Sequence, residues 1–164
     1  MPASTQAIDP EARARDADHD ALRLWLRLFT CTQLLERAIR VRLRREFATT
    51  MARFDFLAQL ERNPEGLKMG ELSKALMVTG GNITGLTDQL VGEGLVRRQP
   101  IASDRRAFAV RLTARGKRAF DAMAAAHEQW VIELLAGLTV SERRSLYALL
   151  GRAKAAVRRL EEAP

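Results

Sequence analysis

The sequence is poor in the residues that would mark several common classes of protein. One cysteine, Cys31, stands among 164 residues, so no internal disulfide can staple the fold and a reducing cytoplasm is the expected setting. Two histidines, His19 and His127, with that lone cysteine give no cluster of metal-ligand spacing. Neither a metal nor a cofactor is therefore expected. No apolar run approaches the ~18 residues a bilayer crossing needs, and residues 1–20 hold no hydrophobic stretch of the secretory kind. No membrane association is expected. No Ser/His/Asp set or phosphate-binding loop is present either, and an enzyme is not expected.

Positive charge is what the chain has in excess. Lys and Arg number 27 against 20 Asp and Glu, a net charge of +7. Residues 1–20 carry two basic and five acidic groups, so the excess lies in the body of the protein and not in a detachable leader. A basic body of this kind suits a polyanion, most often nucleic acid; the plain alternative is a solvated basic face.

Residues 1–18 lack apolar periodicity and read as a disordered leader. Between Ala21 and Thr49 there is neither Gly nor Pro, and Leu22, Leu26, Phe29, Leu35, Ile39, Leu43 and Phe47 recur at mostly helical spacing, so residues 19–49 are predicted as one long helix. A second helix is expected over 52–61 and a third over 68–77, with Leu72, Leu76 and Met77 inward. Thr79 is placed as the N-cap of a fourth, running to Val91 with Ile83, Leu86 and Leu90 buried and ended by Gly92 and Gly94. The period then changes. Leu95 to Arg98 reads as a strand, 100–106 as a polar loop, and Ala107 to Leu112 as a returning strand. Thr113 opens a fifth helix with Phe120, Met123, His127, Trp130 and Leu134 in one stripe. Thr139 with Glu142 has capping-box form before a last helix through Leu160.

Two short helices followed at once by a hairpin make a winged helix-turn-helix over 50–113, a design that puts its second helix in the major groove of DNA and its hairpin beside the minor groove. The expected reading surface is Gly81, Asn82, Thr84, Gly85, Thr87, Asp88 and Gln89, with Arg97 on the hairpin and Arg105 and Arg106 at its tip. Asn and Gln pair bidentately with adenine edges, Thr meets a base or a thymine methyl, and arginine suits the electronegative minor groove. Gly80 and Gly81 leave backbone N–H groups open to a phosphate. Gly85 sits mid-helix at a cost of about 1 kcal/mol. Close approach of a nucleic-acid backbone or tight packing against a neighbouring helix would each explain it.

The runs Gly70-Glu71-Leu72-Ser73, Gly81-Asn82-Ile83-Thr84-Gly85-Leu86, Gly94-Leu95-Val96-Arg97-Arg98, Asp104-Arg105-Arg106 and Val110-Arg111-Leu112-Thr113-Ala114-Arg115-Gly116 resemble the MarR family of bacterial regulators. The helix order resembles it over about residues 20–160. The resemblance implies a mainly α homodimer in which the first and last helices (19–49 and 114–164) interlock and two winged domains read a pseudo-palindromic operator as a repressor. It makes Arg106 the minor-groove reader, with Arg105 behind it. One departure stands out: the family often has Asp-Arg-Leu where this chain has Asp88-Gln89-Leu90. The resemblance further implies release by an aromatic acid or aromatic acyl-CoA, for which Arg23, Trp25, Arg27 and Phe29 are candidate contacts. The series Arg37, Arg40, Arg42, Arg44 and Arg45 admits three readings: a solvated face, a phosphate patch or an anionic-effector site. Long apolar helices at both ends independently favour a symmetric pair. Cys31 is expected to be a packed, inert thiol, and His127 a core or dimer-interface residue. Two alternatives remain: a basic interaction or architectural DNA-binding protein without sequence preference, and a redox regulator working through Cys31.

Overall fold

The computed structural model describes residues 19–77, 80–101 and 104–162, without the side chains of 104–107. Six helices and three strands follow in the order α1 (Asp20–Phe47), α2 (Met51–Arg62), β1 (Leu67–Lys68), α3 (Met69–Leu76), α4 (Gly80–Gly92), β2 (Val96–Ile101), β3 (Asp104–Leu112), α5 (Ala114–Leu134) and α6 (Val140–Glu161). Two compact units divide the chain, Met1–Ala124 and Ala125–Pro164, and α5 runs through the boundary. The leader expected at 1–18, the Thr79 cap and Ser103 of the hairpin tip lie outside the described residues.

In the first unit the core gathers Leu43 of α1, Phe56, Leu57 and Leu60 of α2, Leu72 of α3, Ile83 and Leu90 of α4, and Val96 and Val110 of the sheet. Only the second half of α1 contributes, through Ile39 and Leu43. Thr50 caps α2 by accepting from the Arg53 N–H at 3.3 Å. Phe54 stacks on Phe120 with ring centroids 5.6 Å apart, which fixes the start of α5 against α2.

The sheet has three strands and not the two expected, in the order β1-β3-β2, all antiparallel. Leu67 and Lys68 pair with Val110 and Ala109. A two-residue strand carries no alternation, so periodicity could not reveal it. The hairpin is longer than expected, because pairing continues through Pro100↔Phe108 to Ile101↔Asp104. The register slips between Pro100 and Ile101, where proline has no N–H to give to the ladder. Met77, expected inward, is 94% exposed. It is the left-handed C-cap of α3, with φ 52°, and that turn carries its side chain away from the core.

The base of the hairpin is tied to α5 by one threonine and one glycine. Thr113 Oγ1 accepts from the Gly116 N–H at 2.9 Å and donates to the Gly94 carbonyl at 2.7 Å. A β-carbon on Gly116 would fall 1.8 Å from the Leu95 carbonyl oxygen, so only glycine fits. Arg111 of β3 similarly reaches the α2–β1 turn, donating from Nε to the Glu65 carbonyl at 2.6 Å and pairing with its carboxylate at 2.7 Å.

In the second unit Trp130 is buried and His127 and Leu134 are partly so. Thr139 and Glu142 form the expected capping box: the Thr139 N–H donates to Glu142 Oε2 at 2.7 Å and the Glu142 N–H to Thr139 Oγ1 at 3.3 Å. The first of these bonds holds the Glu142 carboxyl below its ordinary pKa. No described residue of α6 is buried within the chain.

Gly116→Ala is expected to destabilise the fold by at least about 3 kcal/mol through this backbone collision. Gly70→Ala in α3, where an added β-carbon meets nothing within 4 Å, should be neutral or stabilising by up to about 1 kcal/mol. Urea unfolding midpoints of the two variants check the contrast.

Candidate nucleic-acid interface

Helix α4 divides its surface sharply. Ile83, Thr87 and Leu90 are buried, a stripe at i, i+4 and i+7. Gly81, Asn82, Thr84, Gly85, Asp88, Gln89 and Gly92 are exposed on the rest of its surface. Six of the seven residues expected to read DNA from this helix therefore share its outer surface. Thr87 is the exception and corrects the sequence reading. It is fully buried, and its hydroxyl donates to the Ile83 carbonyl at 2.7 Å and lies 3.7 Å from the Met69 sulfur. Leu86, expected in the buried stripe, is only partly buried. A threonine can occupy a core stripe because the carbonyl one turn back satisfies its hydroxyl, a substitution that a hydrophobicity count scores as polar.

Gly85 has no close neighbour at the position a β-carbon would take, and neither have Gly80, Gly81 and Gly92. Packing among the described residues therefore does not explain its glycine. The exposed strip around Gly81, Gly85 and Gly92 leaves the helix backbone open to whatever meets it from outside. Thr84 bonds back to the Gly80 carbonyl at 3.0 Å, an exposed contact that a stronger partner can replace.

The wing is braced against this helix. Arg98 of β2 forms an ion pair with Asp88 of α4. Arg97 is exposed, and strand alternation puts it on the opposite face of β2 from Arg98. Arg97 is among the residues expected from the sequence to meet DNA, and Arg98 is not. The signal was available, since Arg98 lies two residues from the buried Val96 and so shares its face. Arg105 and Arg106 lie on β3, and their side chains are outside the described residues. At the other end of α4, Arg53 of α2 pairs with Glu93. The hydrogen bond from Arg53, with its charge and that of Arg115, holds the Glu93 carboxyl below its ordinary pKa.

A cleft of about 980 Å³ lies beside α4. Glu36, Arg40, Val41 and Arg44 of α1 form one wall, Asn82, Gly85, Leu86 and Gln89 of α4 another, and Met51 and Leu76 are among the apolar lining. Arg40 is ion-paired with Glu36 one turn back on the same helix. Two members of the arginine series, Arg40 and Arg44, thus face a cavity. The other candidates, Arg23, Trp25, Arg27 and Phe29, lie earlier on α1 and do not line it. Trp25 and Phe29 stack with centroids 5.6 Å apart and are exposed, at 57% and 51%. Cys31, expected to be packed, is exposed in the chain, because the first half of α1 has no buried residue.

Fold and surface together define a winged helix-turn-helix protein with an open recognition helix. The model of the MarR family matches residues 49–108. A MarR family transcriptional regulator from Silicibacter pomeroyi, solved as a crystal structure, is 32% identical, with a TM-score of 0.72 over 88% of this chain and 99% of that one. The chain belongs to the MarR family of winged-helix transcription regulators. It is also similar to the HTH-type transcriptional regulator PecS of Dickeya dadantii, 33% identical over 101 residues, a match spanning 60% of this chain and 61% of that protein. A cysteine-to-serine mutant of MarR from E. coli, solved in complex with operator DNA, is 26% identical with a TM-score of 0.70, covering 85% of this chain and 99% of that one.

Gly85→Ala is expected to raise the unfolding free energy by up to about 1 kcal/mol, because the new methyl meets nothing among the described residues. Thr87→Ala should lower it by about 1–2 kcal/mol through the lost buried contacts and methyl. Thermal or urea denaturation of both variants reads the opposite signs.

Proposed function

We propose that the chain is a homodimeric, sequence-specific DNA-binding transcription regulator, a repressor acting at a pseudo-palindromic operator and released by an aromatic acid or aromatic acyl-CoA. The observation that carries this reading is the outer surface of α4, polar and unobstructed within the chain on a helix whose opposite stripe is locked into the core. Asn82, Thr84 and Gln89 supply base-reading chemistry there, the bare backbone at Gly81 and Gly85 permits close approach, and Arg97, Arg105 and Arg106 bring positive charge along the wing. The likeness to MarR from E. coli, whose solved complex contains operator DNA, supports the same docking.

Pairing of two copies is supported by apolar surface that the chain leaves uncovered. Leu146, Leu149, Leu150, Val157 and Leu160 of α6 are exposed, as are Leu22, Leu24, Trp25 and Phe29 of α1. Burying each such side chain stabilises by about 1.5–3 kcal/mol, and a second copy offers the same faces in return. The exposed Trp25–Phe29 stack suits that surface, and we place the effector in the cleft instead. There Arg40 and Arg44 meet a carboxylate or phosphate, and Val41, Met51, Leu76 and Leu86 receive an aromatic ring. A ligand joining α1 to α4 releases DNA by favouring dimers whose two recognition helices no longer stand one helical turn, about 34 Å, apart.

Gel-shift titrations on operator and scrambled duplexes test the DNA reading. Arg106→Ala should weaken operator binding with the dimer intact by size exclusion, and Asn82→Ala should cost about 1–3 kcal/mol of discrimination at one base position. Gly85→Ala should bind DNA more weakly although it folds more stably. Unchanged affinity in Arg106→Ala would remove the wing from the mechanism. For the cleft, a thermal-shift screen with benzoate-type acids and their CoA esters should give a stabilising ligand for the wild type. The Arg40→Ala variant should lose that shift while still binding DNA.

A further inference from the structure

A carboxylate on the DNA-facing side of a recognition helix needs an explanation, because it repels the phosphates on either side of the groove. Asp88 is in that position: its side chain is 57% exposed, on the same outer surface as Thr84 and Gln89. The structure gives it a partner, Arg98 of β2, whose side chain is 36% exposed. Asp88 takes one donor, through Nη2 of Arg98 to its Oδ1. A guanidinium carries five N–H donors in a planar fork, and no other side-chain hydrogen bond of Arg98 is found among the described residues. The pair therefore neutralises the carboxylate and holds a guanidinium, with donors to spare, at the seam between recognition helix and wing.

We propose that Arg98 is a DNA-phosphate contact and that Asp88 is its positioning residue, reading no base itself but fixing the guanidinium at the junction of the two groove-entering elements. This rests on the DNA-binding reading above. A long, flexible arginine loses much rotamer freedom on meeting one phosphate; held by Asp88, Arg98 has lost part of it before DNA arrives. That pre-ordering helps only when the protein sits in register on its operator. Loose binding to arbitrary DNA depends on net charge and gains nothing from it. Asp88 thus lowers non-specific affinity by its charge and raises specific affinity by its geometry. Both effects increase the operator-to-scrambled ratio.

The test uses the full chain, a duplex enriched by wild-type protein from a random-sequence pool, and a scrambled duplex of equal composition. Asp88→Asn should bind scrambled DNA somewhat more tightly and lose about tenfold in the operator-to-scrambled ratio, the equivalent of one charge-assisted hydrogen bond. Arg98→Ala should reduce the slope of log K against log salt by about 0.9 per subunit. In the Arg98→Ala background, Asp88→Asn should change the ratio much less than it does in the wild type, because only the effect of its charge remains and nothing is left to be positioned. Thermal denaturation should move little in any variant, since an exposed ion pair contributes about 0–1 kcal/mol. A ratio unaltered by Asp88→Asn in the wild-type background, or a salt slope unaltered by Arg98→Ala, overturns the proposal while the DNA-binding reading stands. A random pool from which the wild type enriches nothing overturns both.

Discussion

A helix on the surface of a small domain can bury one stripe, and α4 has committed its stripe to Ile83, Thr87 and Leu90. Every functional property argued for this protein depends on that commitment. The core fixes the rotation of α4 about its own axis, and the rotation decides which side chains face outward. Had Leu86 been the central buried residue, the helix would sit turned by part of a revolution and would show different side chains to a groove. Thr87 makes the observed setting possible by satisfying its hydroxyl on the Ile83 carbonyl and presenting its methyl to the core.

Around this helix the chain builds two braces. The Thr113–Gly116 junction locks the hairpin base to α5 through the Leu95 carbonyl, and the Asp88–Arg98 pair links the hairpin to the recognition helix itself. The first is buried and intolerant of a single methyl group. The second is exposed and weak, which suits the sharing of its guanidinium with a DNA phosphate proposed above. The cleft beside α4 belongs to the same design, because its walls come from α1 and from the helix proposed to face DNA.

Most of the architecture was legible in the sequence because it rests on long periodic segments and on breakers. The absence of Gly and Pro between Ala21 and Thr49 marked α1, the Gly92/Gly94 pair marked the end of α4, and the Thr139–Glu142 spacing marked a real cap. What escaped had physical reasons. Strand β1 is two residues long and exists through its pairing with β3. Thr87 looks polar until its hydroxyl is satisfied one turn back. Met77 follows helical spacing but falls on a left-handed cap. Of the site, the outer residues of α4 were readable apart from Thr87. The contribution of Arg98 needed the relative placement of two elements, which no local pattern contains. The gathering of Arg40 and Arg44 with Leu86 and Gln89 around a cavity likewise joins residues about forty positions apart.

In the proposed docking the outer surface of α4 lies in a major groove with the wing in the minor groove alongside. Dimethyl sulfate protection on an enriched operator reads both grooves in one experiment, since it methylates guanine N7 in the major groove and adenine N3 in the minor groove. Two patches of protected guanine N7 are expected, centred about one helical turn, roughly 10 base pairs, apart, each flanked by protected adenine N3. Protection confined to the minor groove, or a footprint without the one-turn repeat, would contradict that docking.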